Sequence, residues 1–396
     1  AVDGTGEVAG GTSGSATYTL IPSSLSVDDT PETYTVSGQF TYAEEGVVRT
    51  VPLSEEEITV RPQAELELDY YLQRNVYSDD PFTDEVEDAE PFALAVMVNN
   101  VGHGDANNLS ITSAQPEVIE NEKGLLVDFE IIGASVNGES FSPSLMVDFG
   151  DVAAGDREVA TWFMQSSVQG KFVDYDVSFT HENSLGIEEL SLLTDTRIHE
   201  LIQVVQSDLP GDDGLYDFLI NGNRDVDPLA LPDTLHTSDG DILDVAQAVA
   251  EHTTGTPTNN ALTVAFQAVM DEGWSYANVG DPGDGSFPVA SIVRDRYGKD
   301  LLDRNYWQTD RTFLADGPPL YEDRLHILDH NAEAGLQTYT ITFVPTNAGP
   351  VAVDNAATTD EETAVQIAVL DHDSDPEGEA LSVATVSQGS NGVVTL

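Results

Sequence analysis

Cysteine is absent from the 396-residue chain. Its absence excludes disulfide bonds, catalysis by a thiolate and zinc sites built on cysteine ligands. It says little about the compartment, because cysteine-free chains occur both outside and inside cells.

Positively charged residues are scarce. Lysine and arginine number 14 against 71 aspartates and glutamates, which gives a formal net charge of −57 at pH 7. Such a surface repels nucleic acids and anionic membranes, so we expect neither as a partner. Acids spread along the whole chain suit a protein in salt or in millimolar calcium, where counterions screen repulsion over about 8 Å or less. A charge kept only for solubility is the alternative.

Long apolar runs are also missing. No stretch of about 18 or more apolar residues occurs, so we expect no direct insertion into a membrane. The chain begins with AVDGTGEVAGG and carries no signal peptide there, and we expect it to be part of something longer. The hydrophobic content of 40% is ample for the cores of about two to four domains.

What the sequence does contain is a period of two. Apolar and polar residues alternate over most of the chain, which predicts strands and an all-β fold. Proline and polar turns divide this alternation into modules. We predict a β-sandwich module at 1–62, a second β module at 63–205, a β-rich domain with long acidic loops at 206–349 and a further segment at 350–396.

Local patterns refine this division. Arg61-Pro62 interrupts the first run, and Asn137-Gly138 is a hairpin signal between two later ones. Residues 242–252 could form a helix, but the alternation of the following ALTVAFQAV favours strands with DVAQAVA as a hairpin partner.

The C-terminal segment is the most informative. Val365, Ile367 and Val369 alternate as in a half-buried strand, an acidic loop follows, and Asn391-Gly392 marks a turn. The segment 350–396 closely resembles the first half of the immunoglobulin-like, cadherin-like repeats that occur in tandem in giant bacterial surface proteins. Such a repeat is a sandwich of about 100 residues. The resemblance therefore implies that further strands come from a continuation of the chain or from another molecule.

Two further resemblances point the same way. The stretch VMVNNVGHGDANNLSI resembles the strand, turn and strand of adhesion-type sandwiches in bacterial and archaeal surface proteins, which implies an immunoglobulin-like adhesion-type sandwich at 63–205. The whole of 1–349 resembles a region of very large bacterial surface proteins, on the strength of FALAVMVNNVGHGDANNLSITSAQPEVIENEKGLLVDF and TDRTFLADGPPLYEDRLHILDH. Neither resemblance carries catalytic residues.

Alternating carboxylates in LDHDSDPEGE predict a calcium site. Calcium takes six to eight oxygen ligands, and acids at every second position of a turn supply several of them. The expected ligands are Asp371, Asp373, Asp375, Glu377 and Glu379. The loop lacks the glycine of an EF-hand, and a solvated acidic turn is the alternative.

A second loop, NGNRDVD, spaces oxygen side chains in the same way. Its candidate calcium ligands are Asn221, Asn223, Asp225 and Asp227. An ordinary loop in an acid-rich protein is the competing interpretation.

Signatures of catalysis are missing. His199-Glu200 begins like the zinc protease motif H-E-x-x-H, but Gln203 stands where the second histidine is required, and the flanking alternation favours a strand. The sequence contains no nucleophile elbow and no phosphate-binding loop. The three tryptophans, Trp162, Trp274 and Trp307, could stack on sugars, but burial in a core is the favoured prediction for all three.

Together these observations predict immunoglobulin-like β-sandwich domains in series, without enzymatic activity. We expect a structural or adhesive segment of a large extracellular bacterial surface protein, stiffened by calcium, whose partners are its own copies, neighbouring domains of a longer chain, or a cell-surface glycan or protein. The alternatives are a carbohydrate-binding or glycan-acting module, recognised by a cleft lined by Trp274, Tyr276, Trp307 and two carboxylates, and a filament subunit that polymerises by strand donation.

Overall fold

The chain is built from β-strands. The computed structural model describes residues 6–9, 11–15, 17–23, 26–79, 89–111, 128–144, 146–171, 191–223, 231–313, 320–345, 350–375 and 380–395. Within these ranges the regular elements are strands and two single-turn 3-10 helices, Arg296–Gly298 and Asp303–Asn305. No helix in the described ranges is long and apolar enough to cross a membrane.

The strands follow one another along the whole central part. The first four are β1 (Glu32–Val36), β2 (Gln39–Glu44), β3 (Val47–Pro52) and β4 (Glu56–Val60). Next come β5 (Leu66–Gln73), β6 (Asn75–Val76), β7 (Phe92–Asn100), β8 (Ala106–Ile111), β9 (Phe129–Val136), β10 (Glu139–Phe141), β11 (Val147–Val152), β12 (Arg157–Ser166), β13 (Gly170–Lys171) and β14 (Leu193–Val205). The remaining strands are β15 (Asp217–Ile220), β16 (Thr234–His236), β17 (Ile242–Gln247), β18 (Val249–Thr253), β19 (Thr263–Met270), β20 (Gly273–Gly280), β21 (Val289–Arg294), β22 (Lys299–Asp300), β23 (Tyr306–Phe313), β24 (Leu320–Asn331) and β25 (Gly335–Phe343).

One twelve-stranded sheet runs through the centre, in the order β10-β9-β12-β7-β5-β14-β15-β16-β17-β20-β24-β23. Its neighbours pair antiparallel except at β5/β14 and β17/β20, which are parallel. The sheet continues past Val205, because β14 is hydrogen-bonded to β15. The module limits given above remain predictions, and a change of module at 205 would lie inside a continuous ladder.

The first sandwich occupies one end of this sheet. The pair β8 and β11 packs over β5, β7, β9 and β12, and alternate residues of both layers form an apolar core. Fully or almost fully buried members of the core are Leu66, Phe92, Val96, Val98, Val147, Val152, Trp162 and Met164.

The turn of VMVNNVGHGDANNLSI is part of this sandwich. The amide of Asn100 is buried; its Nδ2 donates to the carbonyls of Gly104 at 2.8 Å and Val152 at 3.0 Å, while its Oδ1 accepts from the backbone N of Gly102 at 3.2 Å. A Cβ on Gly104 would lie 2.1 Å from the carbonyl oxygen of Pro62, so only glycine fits this close approach. The motif is thus explained by packing.

The second sandwich occupies the other end. A five-stranded sheet, β18-β19-β25-β21-β22, packs on β20, β23 and β24. Its core includes Val264, Phe266, Met270, Ile292, Leu325, Ile327, Tyr339, Ile341 and Phe343. The predicted all-β, immunoglobulin-like sandwich class is confirmed by this arrangement.

Several local predictions are confirmed as well. Residues 242–252 form strands and no helix. The predicted hairpin is only partly right: Val249 and Ala250 of DVAQAVA pair with β19 through β18, whereas residues 244–247 belong to β17, which pairs with β16 and β20. Asn137 and Gly138 connect β9 to β10 with positive φ values of 47° and 77°, as a tight hairpin turn demands. His199 and Glu200 lie in strand β14, which removes the helical geometry of a zinc protease.

The N-terminal strands form two separate ladders, β1 with β4 and β2 with β3. The apolar residues that alternate here are largely exposed: Tyr34 by 40%, Phe40 by 53% and Val48 by 69%. Two-stranded ladders do not bury both faces, which explains this exposure.

The prediction of a half-buried strand at Val365, Ile367 and Val369 is wrong for this structure. These residues form no regular strand and are 46%, 47% and 43% exposed. Backbone pairing in the described part of the C-terminal segment is limited to an isolated bridge between Val351 and Ser374. A strand needs neighbours to pair with, and the alternation alone supplies none.

Candidate functional site

A cleft of about 510 Å³ lies where the two sandwiches meet along the central sheet. Small-ligand sites typically measure roughly 300–1,000 Å³. Residues that line it come from both ends of the sheet and include Gln73, Arg74, Asn75, Tyr77, Glu90, Pro91, Phe92, Lys171, Ile202, Gln203, Leu231, Pro232, Tyr276, Asn278, Trp307, Gln308, Arg324 and His326.

One wall of the cleft is aromatic. The indole of Trp307 lies parallel to the imidazole of His326, with 1° between the ring planes and 4.8 Å between the centroids. The two residues are directly opposite each other on β23 and β24, which brings their side chains to the same face. Tyr276 stacks alongside, 6.1 Å from Trp307 and tilted by 29°. Trp307 is half-buried, whereas Tyr276 and His326 are buried beneath it.

Hydrogen bonds hold the imidazole behind Trp307 in place. The Tyr276 hydroxyl lies 2.7 Å from Nδ1 of His326, and Oγ1 of Thr309 lies 2.9 Å from Nε2. A neutral imidazole accepts at one ring nitrogen and donates from the other, which matches two hydroxyl partners. Burial lowers the pKa of His326 to about 3, so the ring is neutral at ordinary pH. The indole of Trp307 is therefore stacked on an imidazole that is held in place by hydrogen bonds and carries no charge.

The cleft is rich in positive charge. Three of its lining residues are basic, Arg74, Lys171 and Arg324, and Glu90 is the one acidic residue among those described. Nε of Arg324 donates to Oδ1 of Asn278 at 2.5 Å and its Nη2 donates to the carbonyl of the same residue at 3.0 Å. These contacts orient the guanidinium without neutralising it, because an amide carries no charge.

Arg74 is different, because its charge is paired. Its Nη1 lies 2.8 Å from Oε1 of Glu200, with the two side chains 12% and 2% exposed. Glu200 also receives a long hydrogen bond of 3.4 Å from Nδ2 of Asn221. A buried pair of this kind fixes one edge of the cleft, since removing either partner would leave an uncompensated charge.

The tryptophans are only partly where the sequence predicted them. Trp162 and Trp274 are buried, at 1% and 5% exposure, and Nε1 of Trp162 donates to the carbonyl of Ser144 at 2.9 Å. Trp307 contradicts the prediction of burial, because it faces the cleft and is half-buried. The predicted cleft with Trp274, Tyr276, Trp307 and two carboxylates is therefore found with two of its aromatic residues, with arginines and a lysine in place of the acidic pair.

The acidic loop of the C-terminal segment is held by hydrogen bonds to Val353 and Asn355 of the same segment. Oδ1 of Asp373 accepts from the backbone N of Val353 at 2.7 Å, and Nδ1 of His372 lies 2.9 Å from Oδ1 of Asn355. Asp371 is exposed and Asp375 is half-buried. Glu377 and Glu379 lie outside the described residues. In the described part of the chain no three His, Asp or Glu side chains come together as a metal site.

The second predicted calcium loop begins with amides that hold a turn. The backbone N of Asn223 donates to Oδ1 of Asn221 at 3.1 Å, and Nδ2 of Asn223 donates to Oδ2 of Asp233. These bonds lie between β15 and β16 and stabilise their connection. Asp225 and Asp227 lie outside the described residues, so calcium binding at both loops stays a prediction.

A polar network that the sequence did not reveal crosses β5 and β14. Asp69 is buried; its Oδ1 lies 2.8 Å from Nε2 of His199 and accepts a 2.8 Å hydrogen bond from Nε of Arg197. Burial alone would raise the pKa of Asp69, but the hydrogen bonds from His199 and Arg197 lower it to about 2. Nearby, the Tyr71 hydroxyl lies 3.0 Å from Nδ1 of His236. These side chains pack together in the sheet, and the hydrogen bonds of Asp69 with His199 and Arg197 join the parallel strands β5 and β14.

A second unexpected group is Asp217 at the start of β15, which is fully buried. Burial raises its pKa to about 7, with further contributions from the neighbouring Asp212, Asp213 and Asp239. The backbone N of Ser238 donates to its Oδ1 at 3.0 Å. This carboxyl changes its charge near neutral pH.

Comparison with known families identifies the C-terminal segment. Residues 347–396 match the family model of the bacterial Ig domain, a module of surface proteins that is generally non-catalytic. Neither the comparison with curated proteins nor that with solved structures gave a match. The matched part covers about an eighth of the chain, so the similarity to a bacterial Ig-like repeat protein rests on this segment and on the all-β architecture that precedes it.

Proposed function

We propose that the chain is a non-enzymatic structural and adhesive segment of a large extracellular bacterial surface protein. The observation that carries the proposal is the bacterial Ig domain at residues 347–396, which follows two β-sandwiches in the same chain. Placed in series, such modules would act as a spacer that holds a binding surface away from the cell.

The charge and the cleft support this function over catalysis. A net charge of −57 keeps such a chain soluble and well separated from anionic surfaces. Hydrolysis of a glycosidic bond needs a pair of carboxyl groups about 5–10 Å apart. Among the described residues that line the cleft, Glu90 is the single carboxylate, and Arg74, Lys171 and Arg324 are cationic.

The partners we propose are neighbouring domains of a longer chain or other copies of this one. The exposed alternation of Val365, Ile367 and Val369 supports this proposal, since each side chain is more than two-fifths exposed. Added strands would bury these side chains and pair the backbone. Calcium at the acidic loop would stiffen the same segment.

Surface labelling of intact cells tests the proposal. An antibody against the second sandwich, residues 231–343, is expected to label unbroken cells of the bacterium that produces the chain, and external protease should remove the label. A cytosolic protein followed in the same cells serves as the control for lysis. Labelling that appears only after lysis would overturn the extracellular assignment.

A second candidate is a carbohydrate-binding module, which the aromatic wall of the cleft favours. Binding and a structural role are compatible, because a spacer can carry an adhesive site. Electron microscopy of the native particle separates both from the remaining alternative, a filament that polymerises by strand donation, because a filament and a monomeric stalk differ in outline.

A further inference from the structure

We propose that the cleft binds an anionic saccharide, a sugar that carries a carboxylate or sulfate group. The sugar ring would stack on Trp307, and the negative group would be directed to the side of the cleft that holds Arg324. The proposal goes beyond the structural role. It is tested on the purified chain, so its failure leaves the assignment to the cell surface untouched.

The first argument is that the described lining of the cleft is mostly basic, whereas the chain as a whole is strongly acidic. The chain as a whole has 71 acidic residues against 14 basic ones, whereas the described lining of the cleft has three basic residues, Arg74, Lys171 and Arg324, against one acidic residue, Glu90. Arg74 is paired with Glu200, so the argument rests on Arg324, whose described hydrogen bonds go to the uncharged amide and backbone of Asn278. Concentrating scarce positive charge in a concave site favours an anionic ligand there.

The second argument is the orientation of Arg324. Its Nε and Nη2 are both engaged with Asn278, so the guanidinium plane is fixed before a ligand arrives. A fixed guanidinium loses less conformational freedom on binding, and its fork matches a carboxylate or sulfate in a bidentate manner. An arginine side chain with no ligand to bind would instead be expected to turn its charged group toward bulk water.

The third argument is the aromatic wall. One face of Trp307 is covered by His326 in a parallel stack, and the indole lies in the lining of the cleft. A flat, rigid ring with apolar character offers contact area at low entropic cost, as aromatic anchors in binding sites do. The apolar face of a sugar ring fits such a surface, and the half-buried amide of Gln203 offers hydrogen-bonding groups for its hydroxyls.

A nucleotide also combines a flat ring with negative charge, but the observations favour a saccharide. The overall charge of −57 repels ligands of high charge density over the approach distance. An acidic sugar carries about one charge per ring, so it meets less repulsion than a diphosphate does. The described lining has three basic residues, one of them paired with Glu200, which is few for a polyphosphate.

The test is a titration of the complete chain with matched sugars. The probes are short oligosaccharides of galacturonic, glucuronic and guluronic acid and a sulfated galactose oligomer, each against its neutral counterpart, with uridine diphosphate as the nucleotide probe. Isothermal titration gives the affinity. Tryptophan fluorescence reports the site directly, because Trp307 is half-buried whereas Trp162 and Trp274 are 1% and 5% exposed.

We expect at least one acidic oligosaccharide to bind tenfold or more tightly than its neutral counterpart. Trp307→Ala should weaken binding of the acidic probe at least tenfold, and Trp307→Phe should weaken it less. Arg324→Gln should bring the ratio of acidic to neutral affinity close to one. Matched controls outside the cleft are Tyr297→Ala, whose ring is 83% exposed, and Arg296→Gln, whose guanidinium pairs with Glu333 on the surface. Both controls should bind as the unaltered chain does.

Melting curves of each variant separate lost binding from lost folding, and Trp307→Phe keeps the test open if Trp307→Ala fails to fold. Three results would overturn the proposal: acidic and neutral sugars binding alike, cleft variants behaving as the surface controls do, or no sugar of the panel binding. Tighter binding of uridine diphosphate than of every acidic sugar would assign the cleft to a nucleotide instead.

Discussion

The same sequence pattern has opposite outcomes in two regions of the molecule. In β25, Tyr339, Ile341 and Phe343 alternate with polar residues and are at most 1% exposed, whereas Val365, Ile367 and Val369 alternate in the same way and are more than 40% exposed. β25 is hydrogen-bonded to β19 on one side and β21 on the other, and it packs against a facing sheet. Alternation therefore marks a segment that is able to be a strand, and partner strands decide whether it becomes one.

The largest expected effect is a direct test of this difference. Ile341→Ala and Ile367→Ala remove the same atoms from the two regions. We expect Ile341→Ala to lower the free energy of unfolding by about 2–5 kcal/mol, because it leaves a cavity in the core, and Ile367→Ala to change it by less than about 0.5 kcal/mol. Chemical denaturation measures both. Equal losses in the two variants would mean that the C-terminal segment is packed in solution.

The next effect concerns pH and the central sheet. The pKa of Asp217 is raised to about 7 by burial, above the unfolded value of 3.8. Between about pH 4 and pH 7 the native state therefore binds more protons, so the free energy of unfolding falls as pH rises, and the full cost is present above pH 7. Asp217→Asn should raise the free energy of unfolding at pH 8 by on the order of 2–4 kcal/mol and change it little at pH 4.

The control for this variant is Asp360→Asn in the exposed C-terminal segment, which should have no effect at either pH. Buried histidines also contribute to the pH dependence, but they are the same in both variants and cancel in the difference. A gain for Asp217→Asn of equal size at pH 4 and pH 8 would contradict the proposed titration.

Calcium is expected to act on the C-terminal segment. After chelation, added calcium should stabilise the C-terminal segment itself by about 2.7 kcal/mol at 100 times Kd, seen by calorimetry at constant ionic strength as a transition separate from that of the sandwiches, and magnesium should do much less. Replacing Asp371, Asp373 and Asp375 together by asparagine should remove the gain. An equal rise with sodium chloride would assign the effect to screening.

The smallest expected effect comes from deleting residues 350–396. The hydrogen bonds described for this segment join its own residues, such as Val353 with Asp373 and Asn355 with Val369. The shortened chain should therefore melt within about 2 °C of the full one. In circular dichroism the isolated segment should lack the signal of a β-sheet, because the pairing in its described part is limited to the bridge between Val351 and Ser374. A large fall in melting temperature would show that the two regions are coupled.

The strands of the central region could be predicted from the sequence, because alternation and turn residues act locally. Asn137-Gly138 and Arg61-Pro62 each mark a place where a strand ends. The order of the twelve strands could not be predicted, because β5 and β14 become neighbours although Leu66 and Leu193 are far apart in sequence. No local pattern specifies a parallel partner at that separation.

The cationic part of the cleft was hidden for the same reason. Its lining comes from strands that are separated by most of the central chain, so Arg74 and Arg324 gave no joint signal. The one usable hint was that basic residues are scarce. In a chain with 14 of them, each basic residue is a candidate for a specific role. The polar network of Asp69, His199 and Arg197 was missed because it forms only across the parallel pair.

The parallel pair of β5 and β14 also bears on mechanical load. The chain enters β5 at Leu66 and leaves β14 at Val205, and the two strands run in the same direction with eight residue pairs, seven of them consecutive and in register after a shift at Leu193/Asp195. Tension applied along the chain therefore pulls the strands lengthwise past each other and loads all of these pairs at once. A hairpin pulled at its open end instead yields one bond at a time. We therefore expect this part of the molecule to unfold in one step and at high force. The hydrogen bonds of Asp69 with His199 and Arg197 connect the two strands near the middle of the paired region.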